Sequence, residues 1–191
     1  MNITEAKDIL GDLFTFTAED TDRVIKQLNL PKHIKVLDVG TGFGSLAITL
    51  ALNGYSVLTG EPEDDHTKYA NHDWIQNAKK VGVDHLIEFK AFDAKDMPFE
   101  DKAFHAIFFL GSFHHIEEEC RADVLKECIR VSEENALICF FEPNNHSIKM
   151  IKQFDPSHPD AADPNKYIQG LSLSSKIIEG TNFNAFVFIK Q

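Results

Sequence analysis

Basic residues are scarce in this chain. Lys and Arg number 19 against 30 Asp and Glu, a net charge of -11. A protein that grips a phosphate backbone needs clustered cations, so DNA or RNA as the main partner is disfavoured. Cysteine is equally sparse. Cys120, Cys128 and Cys139 are odd in number and form no CxxC pair, which argues against a disulfide framework and for reduced thiols in the cytoplasm. The opening MNITEAKD lacks the basic-then-apolar pattern of a secretory signal. No apolar run approaches the roughly 20 residues of a membrane span, because FHAIFFLGSF is short and interrupted by His105 and Gly111. Pro/Gly/Ser linkers and internal repeats are also missing, so the 191 residues read as one soluble domain.

What is present is an alternation of short apolar runs with helical patterns. Thr17, with Asp20 three places on, reads as a helix cap. The apolar face that follows is Val24, Ile25 and Leu28, and the helix should end before Pro31. Strands are expected at Ile34–Val39, Tyr55–Thr59, Leu86–Ala91, Phe104–Leu110 and Ala136–Phe141. Between them lie a helix ending at Asn53-Gly54, another over Glu63–Val81 and a third over Ile116–Val131. Lys176–Glu179 and Phe183–Lys190, separated by GTN, read as a hairpin.

This order predicts an α/β, Rossmann-like, open and mostly parallel seven-stranded sheet. Helices cover both faces, and an antiparallel hairpin strand closes the C-terminal edge. Residues 1–30 form an N-terminal helical cap, 34–143 the cofactor-binding core, and 144–191 a C-terminal lid and edge hairpin. Ligands in such sheets sit at the carboxyl ends of the strands.

The first strand runs into VLDVGTGFGS. A glycine-rich turn lets backbone approach a ligand closely and aims helix N-terminal N–H groups at it. The third glycine, Gly44, comes one place early for the dinucleotide pattern G-x-G-x-x-G. Asp38 beside the loop would repel a pyrophosphate but suits an ammonium or sulfonium ligand. Gly40, Thr41, Gly42 and Gly44 thus form a candidate cradle for a cationic adenosine derivative. Glu61 closes the second strand where a carboxylate can accept from ribose hydroxyls. Asp93 follows the third strand, placed to accept from an adenine amino group while Ala94 offers backbone. Each acid alone could be a turn or cap residue; three at successive strand ends form a constellation.

VLDVGTGFG, the Glu61 strand end, FDAKDMPFEDKAFHAIFFLGSFHHI and IRVSEENALICFFEP together resemble class I S-adenosylmethionine-dependent methyltransferases, in particular the ubiquinone/menaquinone C-methyltransferase branch. The resemblance covers Ile34 to Pro143. It implies that Asp38, Gly40, Gly42 and Gly44 line the methionine and ribose side of S-adenosyl-L-methionine, Glu61 the ribose, and Asp93 with Ala94 the adenine. Leu110 and Gly111 would flank the cofactor. The sequence departs from the family pattern at Pro62-Glu63, after the ribose acid, and at Ser132–Asn135, where a Lys-Pro-Gly-Gly turn is usual.

GSFHHI places His114 and His115 just past the fourth strand, beside the expected methyl group, which makes them the candidate catalytic residues. Their alternative is structural packing. HHIEEEC lacks the separated ligand pairs of a structural zinc site, so no metal is assigned. Leu13, Phe14 and Phe16 could cover the cofactor. The long Pro-rich stretch QFDPSHPDAADPNKYIQG has the character of a lid. A small, apolar or aromatic acceptor fits the acidic charge and the short tail. Two other readings remain: a cofactor-binding protein without catalysis, paired with a partner or a second copy through the Phe-rich strands, and an NAD-dependent oxidoreductase.

Overall fold

The computed structural model describes residues 1–65, 67–70 and 72–191. Two helices open the chain, α1 (Ile3–Leu10) and α2 (Asp12–Leu28). The first was not anticipated, although Asn2 and Glu5 form a capping box that starts it. Thr17 is no cap. It lies inside α2, where its hydroxyl is satisfied by the Phe14 carbonyl at 3.0 Å, and the cap position belongs to Gly11.

Seven strands follow: β1 (Val36–Val39), β2 (Val57–Gly60), β3 (Ile87–Phe89), β4 (Phe104–Leu110), β5 (Ser132–Pro143), β6 (Leu173–Ile178) and β7 (Phe183–Lys190). They form one sheet in the order β3-β2-β1-β4-β5-β7-β6. The first five pair in parallel, and β7 enters antiparallel between β5 and β6. Ser132–Asn135, expected as a loop, belongs to β5. The irregularity is absorbed by a register shift opposite Phe104 and Ala106 and by a left-handed Asn135.

The crossovers carry α3 (Ser45–Leu52), α4 (Trp74–Lys80) and α5 (Arg121–Val131), and α6 (Asn145–Phe154) follows β5. Helix α4 is much shorter than the Glu63–Val81 expectation; Glu63, Asp64 and Thr67–Ala70 form turns and bends, while His66 and Asn71 lie outside the described residues. Helix α5 begins at Arg121, after two short 3₁₀ turns, rather than at Ile116. Helix α6 lies in the 144–191 region that the sequence reading assigns to a lid and edge hairpin; Asn144 caps it by accepting the His146 and Ser147 N–H groups.

Period-two alternation splits the apolar residues of the sheet between two cores. Val36, Ala106, Phe108 and Cys139 face α1–α4, whereas Leu37, Ile107, Phe109, Ile138 and Phe140 face α5 and the segment after α6. The phenylalanines of β4 and β5 are interior: Phe108, Phe109, Phe140 and Phe141 are fully buried, while Phe186 of β7 is half-buried. The hairpin is anchored to α2 chiefly through Asp20, with Arg23 donating to the Glu179 carbonyl and Asn182 to the Phe16 carbonyl. Buried Asp20 accepts the N–H groups of Thr181, Asn182 and Phe183 and pairs with Arg23. Burial opposes its ionisation, but those donors together hold its carboxyl below the usual range.

Candidate active site

The strand order reverses at β1, whose neighbours β2 and β4 run to opposite sides of it. At that switch point the carboxyl ends of the strands border a cavity of about 640 Å³. The wall includes Gly40, Thr41, Gly42, Glu61, Asp93, Ala94, Leu110, His114 and His115, nine of the residues expected from sequence, together with Gly111. Leu13, Phe16, Phe92, Phe109, Ile116, Ile151 and Phe183 give the rest of the wall an apolar character.

The glycine loop is shaped by contacts that leave no space for side chains. Gly40 has φ +94°, and a Cβ there would come within 2.6 Å of Ser112 Cβ. The Gly42 N–H donates to Glu61 Oε2 at 2.8 Å, which ties the loop to the end of β2. Gly44 has φ +78° and packs against Trp74 rather than lining the cavity.

Asp38 also stands apart from the cavity wall. It is fully buried beneath the loop, where Oδ2 accepts the Thr59 hydroxyl at 2.9 Å and Thr41 bonds that same hydroxyl at 2.9 Å. Its Oδ1 has no partner among the described residues. Burial pushes the carboxyl up to about 8, aided by the charge of Glu61 and opposed by Thr59 and the Ala47 N–H. The sequence argument from its charge assumed solvent-like exposure, and the fold replaces that with a hydrogen-bonded support under the loop.

Past β4, a 3₁₀ turn over Phe113–His115 sends both histidine rings toward the cavity. Arg121 clamps this turn by donating to the Ile116 and His114 carbonyls at 2.9 and 3.1 Å. His114 is buried, its Nδ1 is 2.8 Å from Glu142 Oε2, and its Nε2 has no partner among the described residues. His115 lies against the Tyr69 ring, with centroids 4.6 Å apart. Although the residue keeps an exposed part, desolvation of its ring, followed by the neighbouring His114 and His158, pushes its imidazole down to about 3.

Two participants escaped the sequence reading. Glu142 ends β5 among apolar residues, and His158 sits in the Pro-rich stretch read only as a lid. His158 reaches the cavity with its ring centroid 5.1 Å from those of both His114 and His115. Its position in a run of turn residues carried no periodic signal.

A Rossmann-like sheet with β7 inserted antiparallel between β5 and β6, and a glycine loop at the switch point, defines a class I methyltransferase-type fold. A family model described as a methyltransferase domain matches residues 36–135, and the chain belongs to that family, among its class I S-adenosylmethionine-dependent members.

Among curated relatives, the 27-O-demethylrifamycin SV methyltransferase of Amycolatopsis mediterranei is 31% identical over 116 residues, covering 60% of this chain and 40% of that protein. The demethylmenaquinone methyltransferase of Staphylococcus aureus is 24% identical over 156 residues, covering 80% and 61%. A crystal structure of a candidate S-adenosyl-L-methionine-dependent methyltransferase from Methanococcus maripaludis superposes with a TM-score of 0.72 at 21% identity, over 100% of this chain and 94% of that one. The chain spans less than two thirds of the curated relatives' own lengths.

The residues present fit an adenosine sulfonium cofactor. The loop admits backbone but no side chain at Gly40, and Glu61 and Asp93 stand at the next two strand ends on the wall of the same cavity.

Proposed function

We propose that this protein transfers a methyl group from S-adenosyl-L-methionine to a small, largely apolar acceptor. The observation that carries this reading is one cavity whose wall joins the glycine loop, Glu61, Asp93 and Ala94 on one side to His114 and His115 on the other. The cofactor, when bound, supplies an electrophilic methyl carbon on a sulfonium sulfur.

Gly40, Thr41 and Gly42 hold its methionine and ribose portion, with Asp38 supporting the loop from below. Glu61 accepts from the ribose, and Asp93 with Ala94 receives the adenine at the open rim. Leu110 packs beside it. The apolar wall excludes water and selects an aliphatic or aromatic acceptor body. His114 and His115 contact the nucleophilic atom of that acceptor. With Nδ1 donating to Glu142, His114 keeps an Nε2 lone pair free to accept a hydrogen from it. Orientation of this kind supplies much of the rate enhancement in a displacement reaction.

Calorimetry with S-adenosylmethionine and with its demethylated product tests the cofactor half of the reading. Both should bind at one site per chain, and absence of binding by the folded protein overturns it. Turnover with a panel of small phenols, enols and amines tests the other half. Binding without transfer to any acceptor would favour the non-catalytic alternative.

A further inference from the structure

We propose that His114, His115 and His158 form a binding site for one divalent transition-metal ion of the zinc type, on the acceptor side of the cavity. One ring nitrogen from each lies within 4.8 Å of the other two. The three come from separate parts of the chain: two from the turn after β4, one from the segment after α6.

The hydrogen bonds around the rings point to ligation. Metal-bound histidines characteristically donate their second N–H to a carboxylate or a backbone carbonyl, which fixes the tautomer and the ring plane. Both forms of that support are present. The His114 Nδ1 faces Glu142 Oε2 at 2.8 Å, and the same oxygen accepts the Ala162 N–H at 2.9 Å, which marks it as an acceptor. The His158 Nδ1 lies 2.8 Å from the Pro159 carbonyl, which can only accept. Each of these rings is thereby left with its Nε2 lone pair unprotonated, and the buried Nε2 of His114 has no partner among the described residues. An orphaned nitrogen in so buried a place costs free energy unless something occupies it.

The donor set also selects the ion. Three imidazoles and no thiolate suit zinc, cobalt, nickel or iron(II) rather than magnesium or calcium, which want oxygen. Zn–N bonds of about 2.0–2.1 Å place tetrahedral ligand nitrogens about 3.3 Å apart, so the rings close inward by up to about 1.5 Å on binding. His115 is solvent-accessible and has room to make that adjustment, while Glu142 and the Pro159 carbonyl orient the buried rings of His114 and His158. Three protein ligands leave a fourth position open. All three rings line the cavity, so that position faces it. An acceptor with an oxygen or nitrogen donor is the class that would take it, and with the ion bound that bond replaces the direct contact of the acceptor with the His114 Nε2. This last step rests on the methyl-transfer reading; the ion site does not.

The test is titration of the untagged, chelator-treated full chain with cobalt(II), read by visible ligand-field absorption. One ion per chain should bind with a tetrahedral-type spectrum, and zinc should displace it. His114→Ala and His158→Ala should each weaken binding at least 10-fold, and Glu142→Gln by about 10-fold, the lower end of what such support contributes. His85→Ala, at an exposed position away from the cavity, should bind as the parent does. Circular dichroism of each apo variant checks folding, and a zinc-induced rise in melting temperature gives a second readout, present in the parent and lost in His158→Ala. Absence of saturable binding by the parent overturns the site. So does binding unchanged in folded His114→Ala and His158→Ala, or a thiolate charge-transfer band that Cys120→Ser abolishes. Calorimetry with the demethylated cofactor on the same preparation keeps the two readings separate: cobalt binding without cofactor binding defeats the function above and leaves the ion site standing.

Discussion

The Nδ1 of His114 and the Oε2 of Glu142 meet at 2.8 Å with both side chains buried. The contact joins the end of β4 to the end of β5, and the same oxygen takes the Ala162 N–H from the segment that carries His158. One carboxylate thus orients a cavity-facing imidazole and anchors the segment that brings His158 to the cavity. Adjacent parallel strands make this possible, because Leu110 and Phe141 are register partners and the residues beyond them emerge side by side.

Glu142→Gln should act on the chemistry rather than on cofactor affinity. Glu142 does not line the cavity, so it acts through His114 as a positioning residue. The amide offers the His114 Nδ1–H and the Ala162 N–H a single neutral oxygen, so the ring is held less firmly and kcat should fall on the order of 10²-fold, the cost of a misplaced reacting group. The dissociation constant for S-adenosylmethionine should stay within a factor of about three, well under the 1.4 kcal/mol of a tenfold change. An equal loss in both would assign Glu142 to the fold alone.

Asp38 should make the protein less stable as pH rises. Its carboxyl is pushed up to about 8 in the folded protein and returns to the ordinary carboxylate value of about 3.8 when unfolded. Between those values the folded state holds a proton that the unfolded chain has released, so stability declines across that window, by up to about 1.4 kcal/mol per pH unit. Asp38→Asn retains an oxygen for the Thr59 hydroxyl but cannot ionise. Thermal melts from about pH 5 to pH 8 should show a smaller decline for Asp38→Asn than for the parent. Parallel curves would show that the buried carboxyl is not proton-linked.

The opposite sign is expected at Asp20. Its carboxyl is held below the usual range, so its contribution is present at neutral pH and lost as pH falls through the folded pKa. Asp20→Asn replaces an oxygen that accepts two N–H groups or one that accepts the third. Loss of a charge-assisted set of this kind should cost about 1.5–3 kcal/mol at pH 7, measured by denaturant unfolding, with the gap from the parent closing in acid.

Periodicity made the sheet legible, because a parallel strand buried on both faces is a short apolar run bounded by turn residues. Phe104–Leu110 matches its predicted limits for this reason, whereas antiparallel Phe183–Lys190 matches through its alternation of buried and half-buried residues after the GTN turn. The glycine loop was legible because left-handed backbone at Gly40, Gly42 and Gly44 admits few other residues. What stayed hidden depends on the third dimension. Asp38 looked like a charge at the mouth of the loop, and only its depth turns it into an uncharged support. His158 and Glu142 carry no local pattern, since their meaning comes from a neighbour distant in sequence.

The glycine loop offers a test of whether shape or charge matters more for the cofactor. Gly42 has φ +47°, a conformation that a β-branched residue strongly disfavours, and its N–H is bonded to Glu61. Gly42→Val should abolish calorimetric binding of S-adenosylmethionine and of its neutral-sulfur product alike, because the cradle itself is lost. Glu61→Gln keeps an oxygen for the Gly42 N–H but removes the negative charge. Binding should weaken by about 10-fold, the 1.4 kcal/mol scale of one charge-assisted hydrogen bond. If Glu61→Gln removes binding as completely as Gly42→Val does, the carboxylate is needed to hold the loop closed rather than to receive the ribose.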